Sequence, residues 1–111
     1  MKLKEGDIVK NKKWNDKEYN VTIKAYCQLW LDQKNGKPIN VVQAAKKCST
    51  ALNNSRTPRA IRMRFGNISH VFSIHNLEIV ENVQVLKNIS PDCAEYIWET
   101  IKTIIGKATL K

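Results

Sequence analysis

The segment Ser55-Arg-Thr-Pro-Arg-Ala-Ile-Arg-Met-Arg-Phe-Gly-Asn-Ile-Ser69 combines a helix start with the spacing that sustains a helix. Thr57 is a natural N-cap, and Pro58 suits the first helical position, where a missing backbone N–H has no consequence. The apolar residues that follow recur three or four positions apart, at Ile61, Phe65, Ile68 and Phe72. This spacing predicts an amphipathic helix over residues 57–72, the third helix of the chain.

The residues on both sides of this segment predict three further helices. Asn15 followed by Glu18 is the pattern of a capping box, which predicts that the first helix starts near Asp16. The second helix is predicted over about residues 41–52, and the fourth follows Ser90, where a cap and a proline occur together again. The sequence therefore predicts a mainly α fold of about four helices, in which the second and third form a helix-turn-helix-like core.

Residues 77–86 do not follow a helical pattern. Their apolar residues partly alternate with polar ones, and several are β-branched. Two alternatives remain open for this stretch: a short β element, or an irregular segment that packs against the helices.

The length of 111 residues, of which 42% are hydrophobic, predicts one compact domain with its own core. Residues 1–13 carry five lysines against Glu5 and Asp7. Either a short strand or a basic N-terminal arm fits this pattern, and we interpret the residues as the arm. Residues 14–111 then form a single helical domain.

Positive charge is both high and unevenly distributed. Lys and Arg number 19 against 10 Asp and Glu, which gives a formal net charge of +9. All four arginines lie between Arg56 and Arg64, and no acid occurs between Asp32 and Glu78. This segregation predicts arginines without ion-pair partners and favours a polyanion as the binding partner.

The membrane alternative has little support in the sequence. No apolar run is long enough to span a bilayer, and the N-terminus lacks the apolar core of a signal peptide. We therefore expect a cytoplasmic protein whose polyanionic partner is a nucleic acid rather than a membrane.

The pattern of cysteines and histidines does not predict a metal site, a cofactor or a catalytic centre. Cys27, Cys48 and Cys93 are widely spaced and lie in apolar stretches, which predicts buried free thiols rather than zinc ligands. His70 and His75 have no nearby acid to orient them, and no catalytic triad order or glycine-rich phosphate loop occurs. We expect that the chain is not an enzyme.

The third helix carries the candidate base contacts. When its residues are placed at intervals of about 100°, Arg59, Arg62 and Asn67 lie away from the apolar stripe. Arginine can recognise a guanine edge with two hydrogen bonds, and asparagine can recognise adenine in the same way. These three residues are therefore predicted to contact bases in a major groove.

Other cations are candidates for contacts to backbone phosphates. Arg56 precedes the helix, and Arg64 lies on its flank. The remaining candidates are lysines of the second helix and the N-terminal arm: Lys46, Lys47, Lys12 and Lys13. The aromatic residues fall on apolar stripes, which predicts that they belong to the core and disfavours single-strand binding by base stacking.

Two of these stretches resemble a known family. The residues concerned are Trp14-Asn-Asp-Lys-Glu18-Tyr19, Tyr26 and Arg56-Thr-Pro-Arg-Ala60-Ile61-Arg-Met63-Arg64-Phe-Gly-Asn67-Ile68-Ser69. They are similar to the N-terminal region of HNH-type bacterial restriction endonucleases, including McrA-like modification-dependent enzymes. The resemblance covers roughly residues 14–72 and is most specific in the arginine-rich segment. The same residues are loosely similar to Myb/SANT-like modules. The resemblance implies a DNA-recognition module whose nuclease domain normally lies downstream.

The chain departs from this family in one respect, because no HNH motif occurs in its 111 residues. Cleavage activity is therefore not implied, and a nuclease is expected in a separate domain or subunit. The sequence predicts a non-catalytic domain that binds double-stranded DNA and belongs to, or is related to, a restriction or defence system. One alternative is a protein-interaction or regulatory factor that docks an acidic partner. A second is a degenerate or partial nuclease, and a third is binding to structured RNA.

Overall fold

Four α-helices form the part of the protein that the structure describes. A computed structural model describes residues 13–109, with side chains described as far as residue 106. The helices are α1 (Asp16–Lys34), α2 (Val41–Ala51), α3 (Pro58–Ile74) and α4 (Pro91–Thr109). The prediction of a mainly α fold with about four helices is confirmed. The predicted arm lies outside the described residues, except for Lys13.

The start of α1 is fixed by a capping box. The Glu18 N–H donates to Asn15 Oδ1 over 2.8 Å, and the Asn15 N–H donates to Glu18 Oε1 over 3.0 Å. Two of the N–H groups that a helix leaves without internal partners are satisfied in this way. The predicted start near Asp16 is therefore confirmed.

The caps of α2 and α3 define the connection between these two helices. Asn40 caps α2, and the Thr57 hydroxyl caps α3 by accepting from the Ala60 N–H over 3.1 Å. The helix α3 continues to Ile74, two residues beyond the predicted end. The connection spans residues 52–57, whereas helix-turn-helix pairs have a turn of about 3–4 residues. The likeness to a helix-turn-helix remains a prediction.

Tyr26 of α1 is the centre of the core. Its ring packs against Phe65 and Phe72 of α3, with centroids 6.0 and 4.9 Å away. Its hydroxyl lies 2.6 Å from Ser69 Oγ and accepts from the Val80 N–H over 3.0 Å. Because this buried hydroxyl has partners on two other elements, the ring can be fully enclosed without leaving a polar group unsatisfied.

Residues 75–90 connect α3 to α4 as an irregular segment, and no strand occurs within the described residues 13–109. The backbone groups of this segment find partners on helices instead of on a neighbouring strand. The Glu78 carbonyl accepts from Trp30 Nε1 over 2.9 Å, and the Leu86 N–H donates to the Gly66 carbonyl over 3.0 Å. Of the two alternatives for residues 77–86, the irregular packing segment is the one found.

The helix α4 packs against α1 and α3 and completes the core. Ile97 and Ile101 are fully buried, and Trp98 stacks on His75 at a centroid distance of 3.6 Å. This stacking places the middle of α4 beside the C-terminal end of α3. No helix in the described part of the chain is both long and apolar enough to cross a membrane.

Candidate nucleic-acid interface

Arg59 and Arg62 line a cleft on the N-terminal half of α3. The cleft has a volume of about 500 Å³, and none of the described residues that line it is acidic. The remaining lining residues come from the start of α2, from α3 and from the irregular segment: Val41, Met63, Asn82, Val83, Gln84 and Leu86. Both arginines are exposed. Within residues 13–109, neither makes a hydrogen bond or an ion pair. Two guanidinium groups are therefore available to an incoming ligand.

Arg56 lies elsewhere and is only 8% exposed. Its Nε is 3.1 Å from Glu18 Oε2, its Nη2 donates to the Lys13 carbonyl over 2.9 Å, and its guanidinium lies 5.0 Å from the Trp14 ring centre. The expectation that no acid pairs with the arginine cluster is wrong. Glu18 is distant in sequence, but the packing of α1 brings its carboxylate to the start of α3. As a candidate phosphate contact, Arg56 was expected at the surface. This expectation is also wrong, because the side chain is buried against Glu18.

Arg64 also points away from the cleft. Its guanidinium lies over Trp14 and Tyr19, 4.6 and 5.1 Å from the ring centres, and its Nη1 donates to Asn67 Oδ1 over 3.2 Å. Cation–π contacts of this kind hold a guanidinium against aromatic rings. The four arginines therefore fall into two pairs. Arg59 and Arg62 face the cleft, whereas Arg56 and Arg64 hold the N-terminal end of α1 against α3.

Asn67 is not on the outward face of α3, and the expectation that it lies there is wrong. It is only 7% exposed, and its Nδ2 donates to the Leu86 carbonyl over 3.0 Å. The irregular segment covers α3 at this level, and its path could not be seen in the helical pattern of α3 alone. Asn67 thereby joins α3 to the segment that follows it.

Glu18 is the acidic partner that organises the N-terminal end of α1. Its carboxylate accepts hydrogen bonds from the Asn15 backbone and from Ser55 Oγ, in addition to its ion pair with Arg56. Burial by itself raises the pKa of Glu18. The two hydrogen bonds and the charge of Arg56 outweigh burial, and together they lower the pKa below its ordinary value of 4.5.

The predicted lysines do not share the cleft. Lys46 and Lys47 are exposed on α2, where they line a shallow groove with Gln43, Thr50 and Ala51. Lys13 is exposed, whereas Lys12 lies outside the described residues. The lysines are thus available to a polyanion, but on surfaces separate from the cleft of Arg59 and Arg62.

The histidines occupy different parts of α3 and its end. His70 is partly exposed, and its backbone carbonyl accepts from Ser73 Oγ over 2.8 Å. His75 stacks on Trp98. Among the described residues, no group of three or more His, Cys, Asp and Glu side chains is placed to hold a metal ion.

The three cysteines are free thiols. Burial raises the pKa of Cys27 to about 12 and the pKa of Cys48 to about 11. Cys93 is only partly buried, with its Sγ 3.2 Å from the Tyr19 hydroxyl, so the expectation of a buried thiol is wrong at this position. The expected burial of the aromatic residues is likewise incomplete, because the rings of Trp14, Tyr19 and Trp98 are partly exposed.

Two features of the cleft were missed by sequence reasoning. Residues 82–86 form its second wall, and their position depends on contacts with α3 that no local pattern encodes. Met63 is half-exposed and lines the cleft together with the two arginines. Its position opposite the apolar stripe of α3 could have indicated it.

No protein-family model matches the chain, and neither a curated protein sequence nor a solved structure matches it. What the cleft binds must therefore be inferred from its geometry and charge. Arg59 and Arg62 are one helical turn apart, which corresponds to a rise of about 4.5 Å along α3. Two guanidinium groups at this spacing can each form two parallel hydrogen bonds with a phosphate or with a guanine edge.

Proposed function

We propose that this protein binds double-stranded DNA through the N-terminal half of α3, with Arg59 and Arg62 in contact with base edges. One observation carries the proposal. Both arginines are exposed and make no hydrogen bond or ion pair within residues 13–109, and the residues in that range that line their cleft include no acid. The first residues of a recognition helix are those that reach base edges when the helix enters a major groove.

The surrounding charge supports the same partner. Lys13, Lys46 and Lys47 are exposed, and the chain carries a net charge of +9. We assign these three lysines to contacts with backbone phosphates, which position a protein on DNA without reading its sequence. Arg56 and Arg64 are left out of this assignment, because their guanidinium groups are engaged with residues of α1.

The wider role follows from the resemblance to HNH-type restriction endonucleases. We propose a non-catalytic, cytoplasmic DNA-binding domain of a restriction or defence system, which acts with a nuclease carried by a separate domain or subunit. A nuclease recruited in this way would receive its sequence specificity from α3.

The proposal is tested by fluorescence anisotropy of labelled DNA duplexes, first to select a preferred sequence and then to compare variants. We expect Arg62→Ala to weaken binding to that sequence by about 1–3 kcal/mol and to relax its specificity. Lys47→Ala should weaken all duplexes alike and reduce the slope of log affinity against log salt by about 1. Titrations at about 50 and about 200 mM salt measure the slope.

Lys102→Ala is the charge-matched control. Lys102 lies on α4 above Trp98, which stacks on His75 at the far end of α3 from Arg59. Its loss removes one positive charge and should leave specificity unchanged. Absence of duplex binding, or binding without a salt slope, would contradict the proposal.

One observation favours a second function, the docking of an acidic protein. Met63 is 50% exposed and lines the cleft with Arg59 and Arg62, so apolar surface accompanies the arginines. A stable complex with an acidic protein that survives Arg62→Ala, without binding to duplex DNA, would identify this second function. Competition between RNA and DNA duplexes separates RNA binding from DNA binding.

A further inference from the structure

Only a short part of the outer face of α3 is accessible. Arg59, Arg62 and Met63 are exposed in its first half. At Gly66 the face is closed by the irregular segment, because the Gln84 carbonyl and the Leu86 side chain lie where a Cβ would be. Toward the cleft, α3 therefore presents two cationic side chains and one apolar side chain.

Met63 has a defined position relative to the arginines. It follows Arg59 by four residues, so the two lie on the same face with a rise of about 6 Å between them. Successive bases of one DNA strand are about 3.4 Å apart along the duplex axis. A base contacted by Met63 would therefore lie within about two base pairs of one contacted by Arg59.

The chemistry of Met63 selects one kind of base edge. Its thioether side chain donates no hydrogen bond and adapts to the shape of the surface that it meets. Among the groups exposed in the major groove, the methyl group on C5 of thymine is the apolar one. The Met63 sulfur is only a weak hydrogen-bond acceptor, so the hydrogen-bonding groups of the other bases gain little from it.

We infer that Met63 is a specificity-determining residue that contacts the methyl group of a thymine within about two base pairs of a guanine bound by Arg59 or Arg62. This inference rests on the proposed function and names the class of its target. The target is duplex DNA in which a thymine lies close to a guanine on the edge that α3 reads.

The test uses the full chain and a duplex selected from a random pool. Each thymine of that duplex is replaced in turn by deoxyuridine, which lacks the methyl group and keeps the same base pairing. We expect one replacement to lower the affinity of the unaltered protein about fourfold, the effect of removing one methyl group from an apolar contact. Met63→Ala should bind the thymine and deoxyuridine duplexes equally.

Ile74→Ala is the matched control, because Ile74 is 54% exposed at the C-terminal end of the same helix and is not among the residues that line the cleft. This variant should keep the preference for thymine. The inference is overturned if the unaltered protein never distinguishes thymine from deoxyuridine, or if Met63→Ala keeps the distinction. It is also overturned if the pool yields no preferred sequence, although DNA binding then stands. Failure to bind any duplex removes both the inference and the proposed function.

Discussion

The environments of Arg56 and Arg59 show how differently two arginines three positions apart can be used. Arg56 is buried against the Glu18 carboxylate, whereas Arg59 is exposed on the cleft. A buried ion pair is costly to desolvate, and removing one partner leaves the other charge without compensation. An exposed arginine without partners contributes little to folding. Stability and binding therefore depend on different members of the same cluster.

Arg56→Ala should lower the free energy of unfolding by about 3–5 kcal/mol, because it leaves the Glu18 carboxylate buried without its cation. Arg59→Ala is the matched control and should change that free energy by no more than about 0.5 kcal/mol. Urea denaturation followed by circular dichroism measures both. Equal effects of the two substitutions would show that the ion pair does not stabilise the fold.

Glu18 should make stability depend on pH in the acid range. Its pKa in the folded state is lowered from 4.5, so the unfolded chain binds more protons in acid. The stabilisation is present above the unfolded pKa and is lost as the pH falls through the folded pKa. The unfolding free energy should therefore decrease as the pH falls below about 4.5 and continue to decrease until Glu18 is protonated in the folded state.

Glu18→Gln provides the comparison for this prediction. It should be less stable than the unaltered protein at neutral pH, because Arg56 loses its counter-charge. The difference in unfolding free energy between the unaltered protein and Glu18→Gln should become smaller in acid, where Glu18 itself becomes neutral. Denaturation curves collected across this range measure the difference, and a difference that stays constant with pH would contradict the assignment.

At the scale of elements, the helices could be predicted from local sequence, whereas the segment between α3 and α4 could not. Asn15, Thr57 and Pro58 mark helix starts through interactions within a few residues, so their signals are visible in a short window. The path of residues 77–89 depends on partners in other elements, such as Trp30 and Gly66. The error on Asn67 has the same origin, because helical periodicity cannot show what covers a polar face.

Gly66 is the position at which α3 and this segment approach most closely. A Cβ there would clash with the Gln84 carbonyl and would lie 2.8 Å from Leu86 Cγ. Gly66→Ala should therefore destabilise the protein by about 1–3 kcal/mol, the usual effect of overpacking. It should also increase the rate of hydrogen exchange at the Leu86 N–H, which donates to the Gly66 carbonyl.

Gly106→Ala is the control for this substitution, since a Cβ at that helical position meets no atom of the described neighbours within 4 Å. Alanine is favoured over glycine in a helix by up to about 1 kcal/mol, so this variant should be as stable as the unaltered protein or more stable. In thermal denaturation, we expect Gly66→Ala to lower the melting temperature, whereas Gly106→Ala should leave it unchanged or raise it. A stabilising Gly66→Ala would show that the segment does not pack closely on α3.

At the scale of the whole molecule, α1 makes the contacts that hold α3 and the irregular segment in place. Its N-terminal end holds Arg56 and Arg64, its middle places Tyr26 in the core, and Trp30 near its C-terminal end binds the irregular segment. The cleft of Arg59 and Arg62 lies on α3, outside these contacts. Variants of the cleft can therefore change binding while the packing around α1 is preserved.

The rates at which the three free cysteines react with a thiol reagent report on this packing. Cys27 and Cys48 are buried, with pKa values raised to about 12 and about 11, whereas Cys93 is partly exposed. A thiol reagent can reach the partly exposed Cys93 in the folded protein and should modify it rapidly. Cys27 and Cys48 should react only as the core opens, and the rapid phase should disappear in Cys93→Ser. Rapid modification of Cys48 in that variant would mean that α2 separates from α1 without global unfolding, since its Sγ faces the Val21 carbonyl of α1.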